Sequence, residues 1–193
     1  MIKVIRIGLG EMKHNIGVVI FVCLVIVAIH VVNVSFGSVL IQMGVFPREY
    51  GSLLFVFTAP WIHSSWGHLF SNIGSLAILS GLCLLRGITF YVKSSLFVMM
   101  LSGVLVWIFA RDAVHLGASG WVFGLWALTI SIAWFDRKIS SILVAVFVLF
   151  FYGGMLYGLL PTTQHISFES HLFGAISGVL YAYLSTKYRA FSG

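Results

Sequence analysis

Charge is what this sequence has least of. Acidic residues number 5 and basic residues 11, so charged side chains make up 8% of 193 positions against 60% hydrophobic ones. Soluble domains carry about 25% charged residues, so there is too little polar surface here to cover a water-facing globule. Nor does the net charge of +6 make a nucleic-acid binder, because the basic residues stand between hydrophobic runs, where they set membrane orientation. Cysteine is almost absent too. Cys23 and Cys83 both fall inside apolar runs and read as buried thiols, which excludes a disulfide framework and a cysteine zinc site. There is no H-E-x-x-H arrangement of a zinc protease. A cluster of His63, His68, His171 and His165 around zinc is therefore not favoured, and no cofactor is expected. No row of carboxylates marks an ion path. Repeats, linkers and low-complexity stretches are missing as well, so residues 1–193 are expected to form a single domain.

What is present is a mean hydropathy of +1.07 and a series of continuous apolar runs, which point to helices rather than an alternating membrane barrel. The expected fold class is an all-α polytopic membrane protein with six transmembrane helices, near 16–34, 67–85, 91–110, 117–135, 139–159 and 170–187. The first run is too long for a signal-peptide core and has no small-x-small site after it, so it reads as a retained span. Lys3, Arg6, Lys13, Arg86, Lys93, Arg137, Lys138, Lys187 and Arg189 fall on one side of this threading, and only Arg48 and Arg111 on the other. The positive-inside rule then puts both termini in the cytoplasm. The long outer connection, 35–62, is rich in aromatic and aliphatic residues. It is expected to lie at the interface, partly as short helix packed on the bundle.

That threading uses charge alone, yet it brings three polar clusters to one face. These are His63-x4-His68-x3-Asn72, Gly117-Ala-Ser119-Gly120 and His171-x2-Gly174-x3-Gly178. Ser119, on the first turn of its helix, is the candidate nucleophile, where backbone N–H groups and the helix dipole suit a developing oxyanion. His171 is the candidate base that takes the hydroxyl proton and returns it to the leaving amine. Glu169, two residues earlier, points to another face, so a dyad is expected rather than a triad. His68 and Asn72 lie four apart on one helix face, and both can donate hydrogen bonds to an oxyanion. His63 is offset from that face and reads as a brace for the helix entrance. Gly120-x3-Gly124 and Gly174-x3-Gly178 are small-x3-small faces that pack helices closely. The plain alternatives are a glycine packing seam around Ser119 and an interhelical polar contact at His68 and Asn72.

Taken together, HSSWGHLFSN at 63–72, GASG at 117–120 and SHLFGAISG at 170–178, in that order, resemble the rhomboid family of intramembrane serine proteases. The resemblance covers a core of about 16–187. It implies a rhomboid-like bundle, a Ser119–His171 catalytic dyad, and an oxyanion held by His68, Asn72 and the backbone N–H of Ser119. It implies a partly submerged first loop and a mobile fifth span. The substrates it implies are single-pass membrane proteins within the lipid bilayer, cut in a bacterial inner membrane at a site opening to the outer side. Three departures stand out. The first loop reads PREYGSLLF, without the family's Trp-Arg pair. Phe123 stands where bacterial relatives often have a tyrosine beneath the catalytic histidine. The second span carries no glutamate to hold the loop from below. The alternative function is a catalytically silent rhomboid-like protein that binds membrane-protein clients. A small transporter fits less well, because almost every charge sits at a span end.

Overall fold

The computed structural model describes residues 8–161 and 167–191, with the side chains of 188–191 left aside. Lys3, Arg6 and His165 lie outside the described residues. The described chain is all-helical. Its α-helices are α1 (Leu9–Ser35), α2 (Trp66–Leu84), α3 (Ile88–Phe109), α4 (Ser119–Asp136), α5 (Ile139–Tyr152) and α6 (Phe168–Phe191). Among the described residues, four stretches are long and apolar enough to cross a membrane: Leu9–Ser35, Trp66–Leu84, Ile88–Phe109 and Ile139–Leu159.

The central element is α4. Residues around its whole circumference are buried, from Ser119 to Thr129 without a break, as expected of a helix surrounded by protein. Its closest partner is α6, and glycine is the reason. A Cβ on Gly174 would collide with the carbonyl of Gly120, and one on Gly178 with the carbonyl of Gly124. The two backbones therefore touch, as the small-x3-small spacing anticipates. The helix carrying Ser119 and the helix carrying His171 are thereby set in a fixed register.

Several boundaries differ from the expectation. The α4 helix begins at Ser119 rather than Gly117, because Gly117 takes φ +106°, a conformation open to glycine and closed to a helix. The fifth run is α-helical only to Tyr152 and continues as a tighter 3-10 turn over Gly153–Leu159. The Gly153-Gly154 pair, with its low helix propensity, stands at that break. At the other end of the chain, α1 starts earlier than expected and spans 27 residues. That is about 40 Å of helix, longer than a ~30 Å hydrocarbon core.

The connection after α1 packs as three 3-10 turns, Val39–Met43, Tyr50–Val56 and Ala59–Trp61. It is fastened to the segment after α3. Val45 and His115 exchange backbone hydrogen bonds, both 2.8 Å, and the N–H of Gly117 donates to Ala59 at 2.8 Å. Arg48 donates to the carbonyls of Ala110 (2.8 Å) and Ile108 (3.3 Å) and pairs with Asp112. Trp107 Nε1 donates to the carbonyl of Glu49 at 2.9 Å. The loop thus has an anchor without a Trp-Arg pair within it: the arginine comes from the loop and the tryptophan from α3. At the opposite end of the bundle, Arg86 joins Asp136 (2.9 Å) and Ser141 (2.6 Å), tying the end of α2 to the α4–α5 turn.

Candidate active site

Three helix starts converge on one cavity of about 720 Å³, lined by His68, Asn72, Ser119, Phe123 and His171 among others. Each start has a local cause. Ser65 caps α2, its Oγ accepting the N–H of His68 at 3.2 Å. Ser167 caps α6, its Oγ accepting the N–H of Ser170 at 3.2 Å. The α4 helix has no side-chain cap. Its first-turn N–H groups, Ser119's included, have no intrahelical partner and face the end where the helix dipole is positive.

His171 is held on two sides. Its ring stacks on Phe123 with centroids 4.0 Å apart and planes 6° from parallel. Nδ1 lies 2.9 Å from the carbonyl oxygen of Gly158. A carbonyl only accepts, so Nδ1 carries the proton and Nε2 keeps its lone pair. That is the tautomer a general base needs, set here by a backbone carbonyl in the place where a carboxylate serves in a triad. Glu169 is engaged elsewhere, pairing with Arg111 at 3.3 Å. The fit around Gly158 is close: a Cβ there would fall 2.6 Å from Phe123 Cζ and 3.3 Å from His171 Nδ1.

His68 and Asn72 sit together beside the loop that leads into Ser119. A Cβ on Gly117 would lie 2.6 Å from His68 Nε2 and 3.7 Å from Asn72 Nδ2, so a positive φ and lack of space both call for glycine. Asn72 Nδ2 is buried without a hydrogen-bond partner. An unmatched buried donor costs about 1–3 kcal/mol, and here it stands beside the loop that leads into Ser119. His68 Nδ1 is within 3.2 Å of Ser64 Oγ.

His63 does not join the cavity lining. It is buried in the turn before α2, and its Nε2 accepts the N–H of Ala118 at 3.3 Å. Its carbonyl accepts from His30 Nδ1 (3.1 Å) and Asn33 Nδ2 (3.5 Å) of α1. Burial, reinforced by neighbouring His68, lowers the His63 pKa to about 4, which keeps Nε2 an acceptor. His63 is thus a brace between α1 and the loop before Ser119. Gly120, Gly174 and Gly178 lie in the α4–α6 seam.

Sequence reasoning missed several participants. His30-x2-Asn33 on α1 shares one helix face by spacing, a legible signal. Gly158 acts through its backbone and offers no signal of type. His115 and Ser167, joined at 2.6 Å, lie far apart in sequence. Burial lowers the His115 pKa as well. Among the described residues, no group of three or more His, Cys, Asp or Glu is placed to hold a metal ion.

The fold and this cavity define a helical membrane protein with a serine and a histidine gathered on one polar face. Residues 50–188 match the Rhomboid domain, and the chain belongs to the rhomboid family. It is 34% identical over 157 residues to a Mycobacterium tuberculosis protein described as uncharacterized, covering 77% of this chain and 65% of that protein. A Mycobacterium bovis protein, also described as uncharacterized, matches equally. The chloroplastic rhomboid-like protein 11 of Arabidopsis thaliana is 34% identical over 148 residues, 68% of this chain and 52% of that protein. The chain thus spans 65% of the length of these two mycobacterial relatives.

Proposed function

We propose that this chain is an intramembrane serine endopeptidase that cleaves single-pass membrane proteins in or near their transmembrane segment. The observation that carries the reading is the histidine. His171 lines the same cavity as Ser119, with its Nδ1 proton committed to Gly158 and its ring stacked on Phe123.

In this reading Nε2 of His171 accepts the Ser119 hydroxyl proton as Oγ attacks the scissile carbonyl. The tetrahedral oxyanion takes hydrogen bonds from the Ser119 N–H, His68 and Asn72 Nδ2. Collapse to the acyl-enzyme returns the proton to the leaving amine, and water entering the cavity repeats the cycle. A transmembrane helix hides its peptide bonds in its own hydrogen bonds. Substrates with glycine or proline near the cut therefore unwind at lower cost.

We also read α4 and α6 as membrane crossings, giving six spans within one rhomboid-like unit over 1–193. The buried α4 meets protein where other spans meet lipid, so it does not need an equally apolar surface. Arg86, Arg137 and Lys138 then mark the cytoplasmic side of a bacterial inner membrane, with the site open to the outer side.

The test is a single-pass reporter, tagged at its outer end, co-expressed with the wild type or with Ser119→Ala at matched levels. A fragment released on the outer side by the wild type and absent with the variant supports both mechanism and orientation. A fragment made equally by both sinks the assignment of Ser119.

A further inference from the structure

We infer that His115 is a positioning residue for the nucleophile–base pair, holding the loop that leads into Ser119 in register with the start of the helix that carries His171. The inference rests on the reading of Ser119 and His171 given above.

His115 is buried at a three-way junction. Its backbone pairs with Val45 of the first loop. Its ring Nε2 lies 3.0 Å from the carbonyl of Arg111, and its Nδ1 lies 2.6 Å from Ser167 Oγ. Ser167 Oγ is in turn 2.7 Å from Ser170 Oγ and accepts the N–H of Ser170 at 3.2 Å. The Ser170 carbonyl faces Gly120, where an added Cβ would lie 3.2 Å from it.

The direction of this chain follows from its one obligate acceptor. The Arg111 carbonyl cannot donate, so Nε2 carries the proton of a neutral His115. Nδ1 then accepts from the Ser167 hydroxyl, which leaves Ser167 Oγ to accept both the hydroxyl and the N–H of Ser170. This arrangement of donors belongs to the neutral ring. A second proton on Nδ1 would turn Ser167 from donor to acceptor toward His115 and reverse the Ser167–Ser170 bond, so that the Ser170 hydroxyl, one residue before His171, must turn to another acceptor. The charged groups facing the ring are Arg111 and Glu169, paired with each other at 3.3 Å. Glu169 favours the protonated ring, while Arg111 and burial oppose it. The junction therefore joins the segment before Ser119 to the cap of α6 through hydrogen bonds whose direction is set by one proton.

The test uses the full chain in detergent and in phosphatidylcholine–phosphatidylglycerol vesicles. It follows the rate of fluorophosphonate labelling at Ser119, and kcat and KM on a transmembrane reporter peptide, between about pH 5 and 8.5. Ser167→Ala is expected to lower kcat and the labelling rate roughly ten-fold or more with little change in KM, since a displaced dyad loses attack geometry and not binding. Ser167→Thr, which keeps a hydroxyl, should restore most of the rate. In His115→Gln, which retains a donor toward Arg111 but cannot titrate, the acid limb should become shallower. If Ser167→Ala labels at the wild-type rate with an unchanged acid limb and a wild-type melting temperature, the positioning role is wrong. If Ser167→Ala fails to fold, His115→Gln decides by the same acid limb. If the wild-type protein itself does not label, the reading of Ser119 has failed and the proposal falls with it.

Discussion

Asn72 shows how little a residue's type reveals until its surroundings are known. In the sequence it is one polar residue four positions after a histidine, and such residues in membranes commonly hold helices together. In the fold its Nδ2 finds no protein acceptor, although the site is buried and the cost of the mismatch falls on stability. Asn72→Ala is therefore expected to lower kcat on a transmembrane reporter by about 10²–10³, the usual effect of losing one oxyanion donor. Its melting temperature should stay at or above that of the wild type, because the change breaks no internal bond of Nδ2 and removes an unmatched buried donor. A large fall in stability with unchanged kcat would instead mark Asn72 as a helix-to-helix contact. Phe123 follows a similar logic. It preserves the ring face that supports His171, and Gly158 crowds its Cζ, where a tyrosine would place a hydroxyl.

Among elements, the α4–α6 pair bears on activity most directly. Ser119 and His171 stand 52 positions apart by their numbers in the chain, and what aligns them is a seam where two helix backbones touch at Gly120, Gly124, Gly174 and Gly178. A Cβ at Gly174 has nowhere to go without separating the helices. Gly174→Ala should cost about 1–3 kcal/mol, the usual range for overpacking, and activity should fall further than stability because the dyad loses its register. Thermal unfolding in detergent alongside reporter cleavage checks this, and wild-type values of both would refute the seam. The helical runs, the glycine pattern and the short-helix character of the first loop were legible in the sequence, since each follows from hydrophobic run length or residue size. The end of α5 at Tyr152 and the start of α4 at Ser119 were not. They depend on local glycine conformations that a hydrophobic run conceals.

At the scale of the whole molecule, one buried polar path links α1, the turn before α2 and the loop before Ser119 through His30, Asn33, His63 and Ala118. This path is expected to make the bundle sensitive to acid. The folded-state pKa of His63 is lowered to about 4 from 6.5, so between those values the unfolded chain binds a proton that the folded chain refuses. The corresponding stability is fully present above about pH 6.5, declines as pH falls toward about 4 and is flat below that. The slope contributed by this one group is at most about 1.4 kcal/mol per pH unit. The His115 pKa is also lowered and acts with the same sign. Equilibrium unfolding in detergent at about pH 7.5 and about pH 5 should show the loss. His63→Asn, which cannot titrate, should be less stable at the higher pH but lose less on acidification. Equal pH sensitivity in the two proteins would remove His63 as the cause.

By itself the sequence determined the class of protein, the helical runs, the charge asymmetry between their two ends and the polar clusters at three of their starts. These follow from composition and periodicity, which act locally along the chain. Only the tertiary structure decided which atoms of those clusters are available for chemistry. It committed one nitrogen of His171 to the carbonyl of Gly158, turned His63 away from the cavity to brace Ala118, left Asn72 Nδ2 unpaired and brought His115 to the cap of α6. Each of these depends on partners distant in sequence or on a backbone atom that every residue possesses. Residue identity and spacing therefore could not reveal them before the helices packed.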